Sequence, residues 1–268
     1  MKKLAIDLKD NYAAIAASGE FGPVYLKIDF GDFAGDQAET RLVDIAGDRF
    51  RQLYLEAEKV SLVIPMRYSL AKIIEIDRAG IEKYGDDFLN WEASLQLPSE
   101  LGDFRRDFYR LGESFDKKRY KYFFCATPQE FIRKLEEFAS IPGAQKLQAQ
   151  SEAMALYHAL NLAADFSGLD AAISLEPEGA SVVLSHDGDY LGGRYIRDNA
   201  GSLRDELMYF IIGTHLEDLR PKLLLSGDLN LIDKLGDLSW AETLKLDIEN
   251  GLAQAETYAA AIGLNLML

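Results

Sequence analysis

The chain is poor in the residues that staple or metallate small folds: 268 residues include one cysteine, three histidines and seven prolines. Cys125 has no cysteine to pair with, and three histidines leave little material for a zinc site, so neither an internal disulfide nor a metal site is expected. The thiol lies in the apolar run Tyr122 to Ala126, which reads as core. Long hydrophobic runs are also missing. No stretch approaches the ~18 to 20 apolar residues that span a bilayer, and Asp7 interrupts Met1 to Leu8 too early for a signal-peptide core. The chain closes on Leu266-Met267-Leu268 without a membrane helix, and the expected compartment is the reducing cytoplasm.

Positive charge is scarce as well. Twenty-nine basic side chains face 44 acidic ones, a net charge of −15, which argues against a nucleic-acid binder, whose affinity comes from Lys and Arg on phosphates. The deficit is concentrated, since residues 141–268 hold 8 basic and 19 acidic groups. What remains, 48% hydrophobic and 27% charged, is the composition of a folded globular chain.

Along the chain, Lys3 to Leu8, Ala13 to Ala17 and Val24 to Phe30 read as three short strands, separated by the turn signals Asp10-Asn11 and Gly19 to Pro23. The spacing of Leu42, Ile45, Phe50, Leu53 and Leu55 predicts a helix over about 37–58, followed by a buried strand, Val60 to Ile64. Leu70 to Ile76 reads as strand, Ala79 to Leu95 as helix, and Phe104 to Leu111 and Tyr120 to Ala126 as strands. Thr127-Pro128-Gln129-Glu130 predicts a helix start with Thr127 at the N-cap, running to about Ser140. Ser151-Glu152 caps the next helix. Then come strands Ala171 to Leu175, Ala180 to Ser185 and Tyr190 to Ile196, a helix from Ser202 to about Leu219, strand Lys222 to Ser226, and a closing helix, Leu252 to Ile262, ended by Gly263. One plan, a strand meander followed by helix, strand and helix, occurs twice. That is a duplicated α/β architecture.

A duplicated plan with a hairpin opening each half resembles the actin-like ATPase (ribonuclease H-like) fold. Within that superfamily the chain resembles PilM-type type IV pilus assembly proteins, relatives of the cell-division protein FtsA. The resemblance rests on Ile64-Pro65 before a short strand, Glu92-Ala93, Leu97-Pro98, Asp107-Phe108-Tyr109-Arg110-Leu111, Phe123 to Thr127, Ser151 to Leu156, and Ala260-Ala261-Ile262-Gly263-Leu264. It implies a first lobe over residues 1–165 that carries an inserted 1C-type subdomain at about 66–126. A reduced second lobe follows over 166–268, with the closing helix packing back on the first. In the family a 2B subdomain roofs the nucleotide. Here only Arg197 to Gly201 separate the meander from the next helix, too few residues for a subdomain.

The superfamily holds Mg-ATP with two hairpins and a glycine-rich turn, where backbone N–H groups approach phosphates that a β-carbon would obstruct. The first hairpin reads Asp7-Leu8-Lys9-Asp10, keeping the aspartate but replacing the glycine with Lys9 and the hydroxyl residue with Asp10. The second reads Ser174-Leu175-Glu176, with Ser174 in place of the metal-associated aspartate and Glu176 in place of the glycine. The base-side turn, Ser226-Gly227-Asp228, loses its second glycine. Added carboxylates facing a triphosphate repel it. The expectation is a remnant site with no catalytic residues, no bound cofactor and no metal.

Other signals have plainer readings. Residues 104–124 mix bases with aromatics, which fits a single-strand nucleic-acid platform, partner docking, or a small sheet with aromatics inward; residues 61–140 hold 13 basic and 14 acidic groups, which favours the sheet. Asp187, Asp189, Asp198, Asp205 and Glu206 lack calcium-loop spacing and read as solvated surface. His158 and His215 have no ligand-spaced partner, the glycines at 188, 192 and 193 belong to a hairpin, and Ser226 lacks the preceding glycine of a nucleophile elbow. The resemblance implies a cytoplasmic scaffold, peripheral to the inner membrane, in a type IV pilus or related secretion assembly. Its partner would be the tail of a bitopic PilN-like protein, captured by a first-lobe groove near 1C. The alternatives are an ATP-binding ATPase with a pocket rearranged around Asp7, Lys9 and Ser226, and the cytoplasmic part of a GspL-like type II secretion protein.

Overall fold

The computed structural model describes residues 2–9, 11–19, 22–30, 40–97, 103–144, 147–165, 167–198, 203–214, 220–244 and 259–267. Three antiparallel strands open the chain, β1 (Lys3–Leu8), β2 (Tyr12–Gly19) and β3 (Gly22–Asp29). They are extended by the parallel strands β4 (Lys59–Ile64) and β8 (Gln148–Ser151) into a sheet of order β3-β2-β1-β4-β8. The second sheet repeats the plan with β9 (Leu169–Glu176), β10 (Gly179–His186), β11 (Asp189–Arg197), β12 (Lys222–Gly227) and β13 (Glu242–Leu244), in the order β11-β10-β9-β12-β13. β12 is parallel to both β9 and β13, as β4 is to β1 and β8. The duplication expected from the element order is therefore a strand-for-strand correspondence. The hairpin tip after β1 has its counterpart in the tip after β9.

Between β4 and β8 the chain leaves the first sheet. It makes β5 (Leu70–Asp77), α2 (Arg78–Tyr84), α3 (Asp86–Ser94), β6 (Phe104–Glu113) and β7 (Arg119–Pro128), a separate sheet of order β5-β7-β6. Phe124, Tyr122, Ile74 and Ile76 fill its core against Leu89 and Ala93, while Arg110, Lys117, Lys118 and Arg119 stay exposed. Aromatics inward and bases outward is the amphipathic arrangement. Cys125, on β7, is buried, and that burial pushes its thiol up to about 11.

Several boundaries differ from the sequence reading. α1 (Leu42–Glu56) bends at Gly47, whose φ of 71° is non-helical; part of the expected start, 37–39, lies outside the described residues. The helix expected over 79–95 is two, because Gly85 adopts φ 60° between α2 and α3, a left-handed conformation natural to glycine. α4 (Gln129–Ala139) is capped one residue later than expected, at Pro128, and Thr127 is instead buried with its hydroxyl 2.7 Å from that of Ser69. α5 (Glu152–Ala163) follows Ser151, which gives no side-chain cap. α6 (Leu203–Ile212) stops short of 219, and 215–219, including His215, lie outside the described residues. β8 had no strand signal in Gln-Ala-Gln-Ser and is added by its parallel pairing with β4.

The closing helix α7 (Ala259–Met267) continues past its expected end, so that Gly263 lies inside it rather than after it; the first part of the expected helix, 252–258, lies outside the described residues. Helices α5 and α7 share the core formed between the sheets, where Ala5, Ala16 and Val63 on one side and Ala172, Val183 and Leu224 on the other are buried with them. α7 also touches β1, β2 and β4. The helices approach so closely that a Cβ on Gly263 would stand 1.8 Å from the Ala155 carbonyl oxygen. Backbone is met there, and no rotamer relieves the overlap. Gly263→Ala is expected to lower the stability measured by urea unfolding by about 1–3 kcal/mol, the usual cost of overpacking; an unchanged midpoint would show that the helices separate freely.

Candidate functional site

The two hairpin tips meet across α5. Lys9 closes the turn after β1, its N–H donating to the Tyr12 carbonyl at 2.8 Å, and its side chain is turned inward, the residue being 3% exposed. A lone buried ammonium is prohibitive, so it must be paired. Its Nζ lies 2.5 Å from Glu152 Oε1, 3.4 Å from Asp7 Oδ2 and 3.4 Å from Glu176 Oε1. Glu176, at the end of β9, also faces Arg67 Nη1 at 3.5 Å. Glu152 is fully buried at the first position of α5, where the helix N-terminus favours a carboxylate. Its second oxygen accepts from the Met66 N–H at 2.8 Å and the Ser181 hydroxyl at 2.7 Å. One interaction set thus ties β1, the 3-10 turn Met66–Tyr68, α5 and the β9–β10 hairpin together.

The titration shifts follow from burial and crowding. Burial pushes the Asp7 carboxyl up to about 6, only partly offset by Lys9, and Asp7 Oδ1 has no hydrogen-bond partner among the described residues. Burial alone would lower the pKa of Lys9, but Asp7, Glu152 and Glu176 outweigh it and hold it well above the ordinary value. For Glu152 burial again opposes ionisation, and the Lys9 charge with the hydrogen bonds from Lys9, Met66 and Ser181 overcomes it, so its pKa is lowered. Near neutral pH, above its pKa of about 6, Asp7 is mostly ionised, so the three carboxylates Asp7, Glu152 and Glu176 face the two cations Lys9 and Arg67.

The other positions singled out in the sequence serve the backbone. Ser174 is buried on β9, in register with Ser181 of β10 and Ser226 of β12. Ser226 donates to the Ile173 carbonyl at 3.2 Å. Gly227 adopts φ 80°, and a Cβ there would meet the Leu175 carbonyl oxygen at 2.3 Å, so packing against β9 by itself demands glycine. Asp228 accepts from the Asn230 N–H at 3.2 Å and caps the 3-10 turn Leu229–Leu235. Asp10 lies outside the described residues. Sequence reasoning missed Glu152, Arg67 and Ser181. A signal was present for one pairing: lysine at one hairpin glycine position and glutamate at the equivalent position of the other are complementary charges.

The acidic residues elsewhere are dispersed among different partners. Asp187 accepts from the Gly168 N–H at 2.8 Å, Asp198 pairs with Lys234 at 2.9 Å and Glu206 with Arg194 at 3.4 Å. Among the described residues no group of three or more His, Cys, Asp or Glu is placed to hold a metal ion, and no helix is long and apolar enough to cross a membrane.

The chain matches no protein-family model and no curated protein. Solved structures do match it. A PilM–PilN type IV pilus biogenesis complex aligns over 99% of this chain and 98% of that one, with 15% identity and a TM-score of 0.60. A Bacteroides thetaiotaomicron protein with an actin-like ATPase fold and unknown function covers 99% and 95%, with 10% identity and a TM-score of 0.54. The cytoplasmic domain of EpsL, an inner-membrane component of the Vibrio cholerae type II secretion system, covers 84% and 82%, with 12% identity and a TM-score of 0.52. The fold is the actin-like ATPase fold. Replacing Lys9 with methionine leaves Glu152 and Glu176 facing each other in a dry site and is expected to cost about 3–5 kcal/mol in urea unfolding; a loss below about 1 kcal/mol would mean that water already screens the cluster.

Proposed function

We propose that this chain is a non-catalytic, PilM-like scaffold that binds the cytoplasmic tail of a PilN-like inner-membrane protein and does not use ATP. In this reading residues 1–165 are the first lobe, with the 1C-type insertion at about 66–126, and 166–268 are a second lobe without a 2B subdomain. The protein works in the cytoplasm at the inner membrane, in a type IV pilus or related secretion assembly. The likeness to a PilM–PilN complex over nearly the full length of both chains supports the assembly and the partner.

The buried pairing of Lys9 with Glu152 and Glu176 carries the non-catalytic part. A phosphate-binding hairpin needs free backbone N–H groups and no side chain over them. At the two glycine positions of this fold the chain places long side chains that pair with one another, and Glu176 adds a negative charge where phosphate oxygens would lie. Asp7, the aspartate that would face Mg²⁺, is buried and sits 3.4 Å from the Lys9 ammonium. That does not suit a metal ligand, which must be open to the ion. The residues present therefore do not fit Mg-ATP. Asp7, Lys9, Asp10, Ser174, Glu176, Ser226, Gly227 and Asp228 are remnant positions, and the interlobe contact that a nucleotide makes in such a fold is made here by side chains.

The likeness to the EpsL cytoplasmic domain supports a second reading, a GspL-like role in type II secretion, over a smaller share of the chain. Two measurements test the first. Titration calorimetry with Mg-ATP should show no binding up to about 1 mM, and a micromolar Kd would overturn the pseudo-ATPase assignment. A synthetic peptide of the N-terminal cytoplasmic tail of a PilN-like protein encoded beside this gene should bind with a micromolar Kd; no binding up to about 1 mM would leave the EpsL-like reading as the better one.

A further inference from the structure

The turn between β6 and β7 stands at the far end of the inserted sheet. β5 pairs with β7 from Leu70 opposite Ala126, near the first lobe, to Asp77 opposite Arg119, a run of about 23 Å. The turn beyond Arg119 is firmly built. The Lys117 N–H donates to the Ser114 carbonyl and the Ser114 N–H to the Arg119 carbonyl, both at 2.9 Å. Asp116 accepts from the Ser114 hydroxyl at 2.6 Å and from the Lys118 N–H at 3.0 Å. This scaffold holds Phe115 out at its apex with a relative exposure of 106%, whereas Tyr209, the next most exposed large hydrophobic side chain among the described residues, stands at 70%.

We propose that this hairpin tip docks on a lipid surface bearing anionic headgroups, with Phe115 entering the interface and the neighbouring bases lying on the headgroups. One exposed phenylalanine is ordinary by itself. Its surroundings are not. Residues 110–121 hold five basic side chains against two acidic ones, in a chain of net charge −15. Both acids are engaged locally, Asp116 within the turn and Glu113 with Arg110 at 3.3 Å and Arg78 at 3.6 Å. Arg119 faces Glu75 at 3.7 Å, an exposed pair that a headgroup can replace. Lys117 and Lys118, on either side of the bend out of the turn, are exposed and make no ion pair with the described residues. Arg78 joins them, since its N–H donates to the Lys118 carbonyl at 2.9 Å.

The order of these groups favours lipid over nucleic acid. A single-strand platform presents several aromatics on which successive bases stack, but Tyr120, Tyr122 and Phe124 of β7 are buried, and Arg110 covers the Tyr120 ring at 3.8 Å. What remains is one apolar ring at the apex with ammonium groups just behind it. That order matches a bilayer, charged at its surface and apolar beneath, and the long lysine stems let the ammonium groups stay at headgroup level while the ring goes deeper. Each base near an anionic leaflet adds about fivefold to partitioning. Two unpaired lysines and one ring therefore give a weak, reversible contact that orients the protein on a membrane without anchoring it. The contact is separate from a first-lobe site for a PilN-like tail and does not depend on which assembly the chain serves.

The test is co-sedimentation of the full chain with vesicles of equal parts phosphatidylglycerol and phosphatidylcholine, against vesicles of phosphatidylcholine alone. Binding at low salt to the anionic vesicles is expected at about millimolar lipid, weakening as NaCl is raised. Lys117→Asn/Lys118→Gln, which keeps a residue tolerant of the left-handed φ of 57° at position 117, is expected to weaken it about tenfold or more. Phe115→Ser should weaken it about fivefold. Both variants alter exposed side chains, so their thermal unfolding midpoints should stay close to that of the parent. Phe115→Trp reports position: against the parent spectrum, its added emission should shift to the blue with anionic vesicles. No binding up to about 5 mM anionic lipid, equal binding to phosphatidylcholine, binding unchanged in Lys117→Asn/Lys118→Gln, or binding without the blue shift would each overturn the proposal. A single-stranded oligonucleotide is the competing polyanion. If it binds at these lysines more tightly than the vesicles do, the tip is a nucleic-acid contact and the lipid assignment fails.

Discussion

A buried ammonium sets the terms for the middle of this molecule. Once Lys9 is folded beneath the surface, its charge has to be answered from inside the protein, because no water is left to do it. Three different segments supply the answer, with partners up to 167 residues away in sequence. Each partner is then constrained in turn. Glu152 can reach Lys9 only if α5 starts where it does, and Glu176 only if the second hairpin approaches the first. The local geometry of the hairpin tips and the relative placement of the two sheets are one constraint.

The duplicated topology makes such a solution available. Repeating the same strand order brings two equivalent turns to opposite walls of one cleft. In an actin-like fold whose turns carry glycine, a ligand rich in phosphate oxygens bridges the walls through backbone groups. Here side chains of opposite sign occupy both turns and meet directly. The two hairpins are thereby joined by one contact between side chains of opposite sign.

The fold was legible in the sequence to the extent that its signals are local. The strand meanders announce themselves through β-rich runs broken by turn residues, and their repetition disclosed the duplication. β8 was illegible because Gln148–Ser151 has no β character of its own and is a strand only by virtue of β4. Gly85 split a helix because its positive φ outweighed the apolar periodicity on either side. At the site, the departures at Lys9 and Glu176 could be read off the chain, but their pairing could not, since burial and distance are properties of the fold. Ser151-Glu152 illustrates the difference: as sequence it is an ordinary helix start, whereas in the structure its glutamate is the fully buried partner of a cation 143 residues earlier.

The seat of α7 has a bearing on how the protein comes into being. This helix covers part of the sheet formed by β1, β2 and β4, yet it is made of residues 259–267, the last described stretch of the chain. During synthesis the first sheet emerges from the ribosome with that face bare, and at about 5–20 residues per second the wait is tens of seconds. The alanine-lined strands and the small-residue face of α5 are then apolar surface open to solvent and to other nascent chains. Native assembly of the opening strands is therefore tied to translation of residues 259–267, and a nascent chain cut short before them is left with an unfinished core.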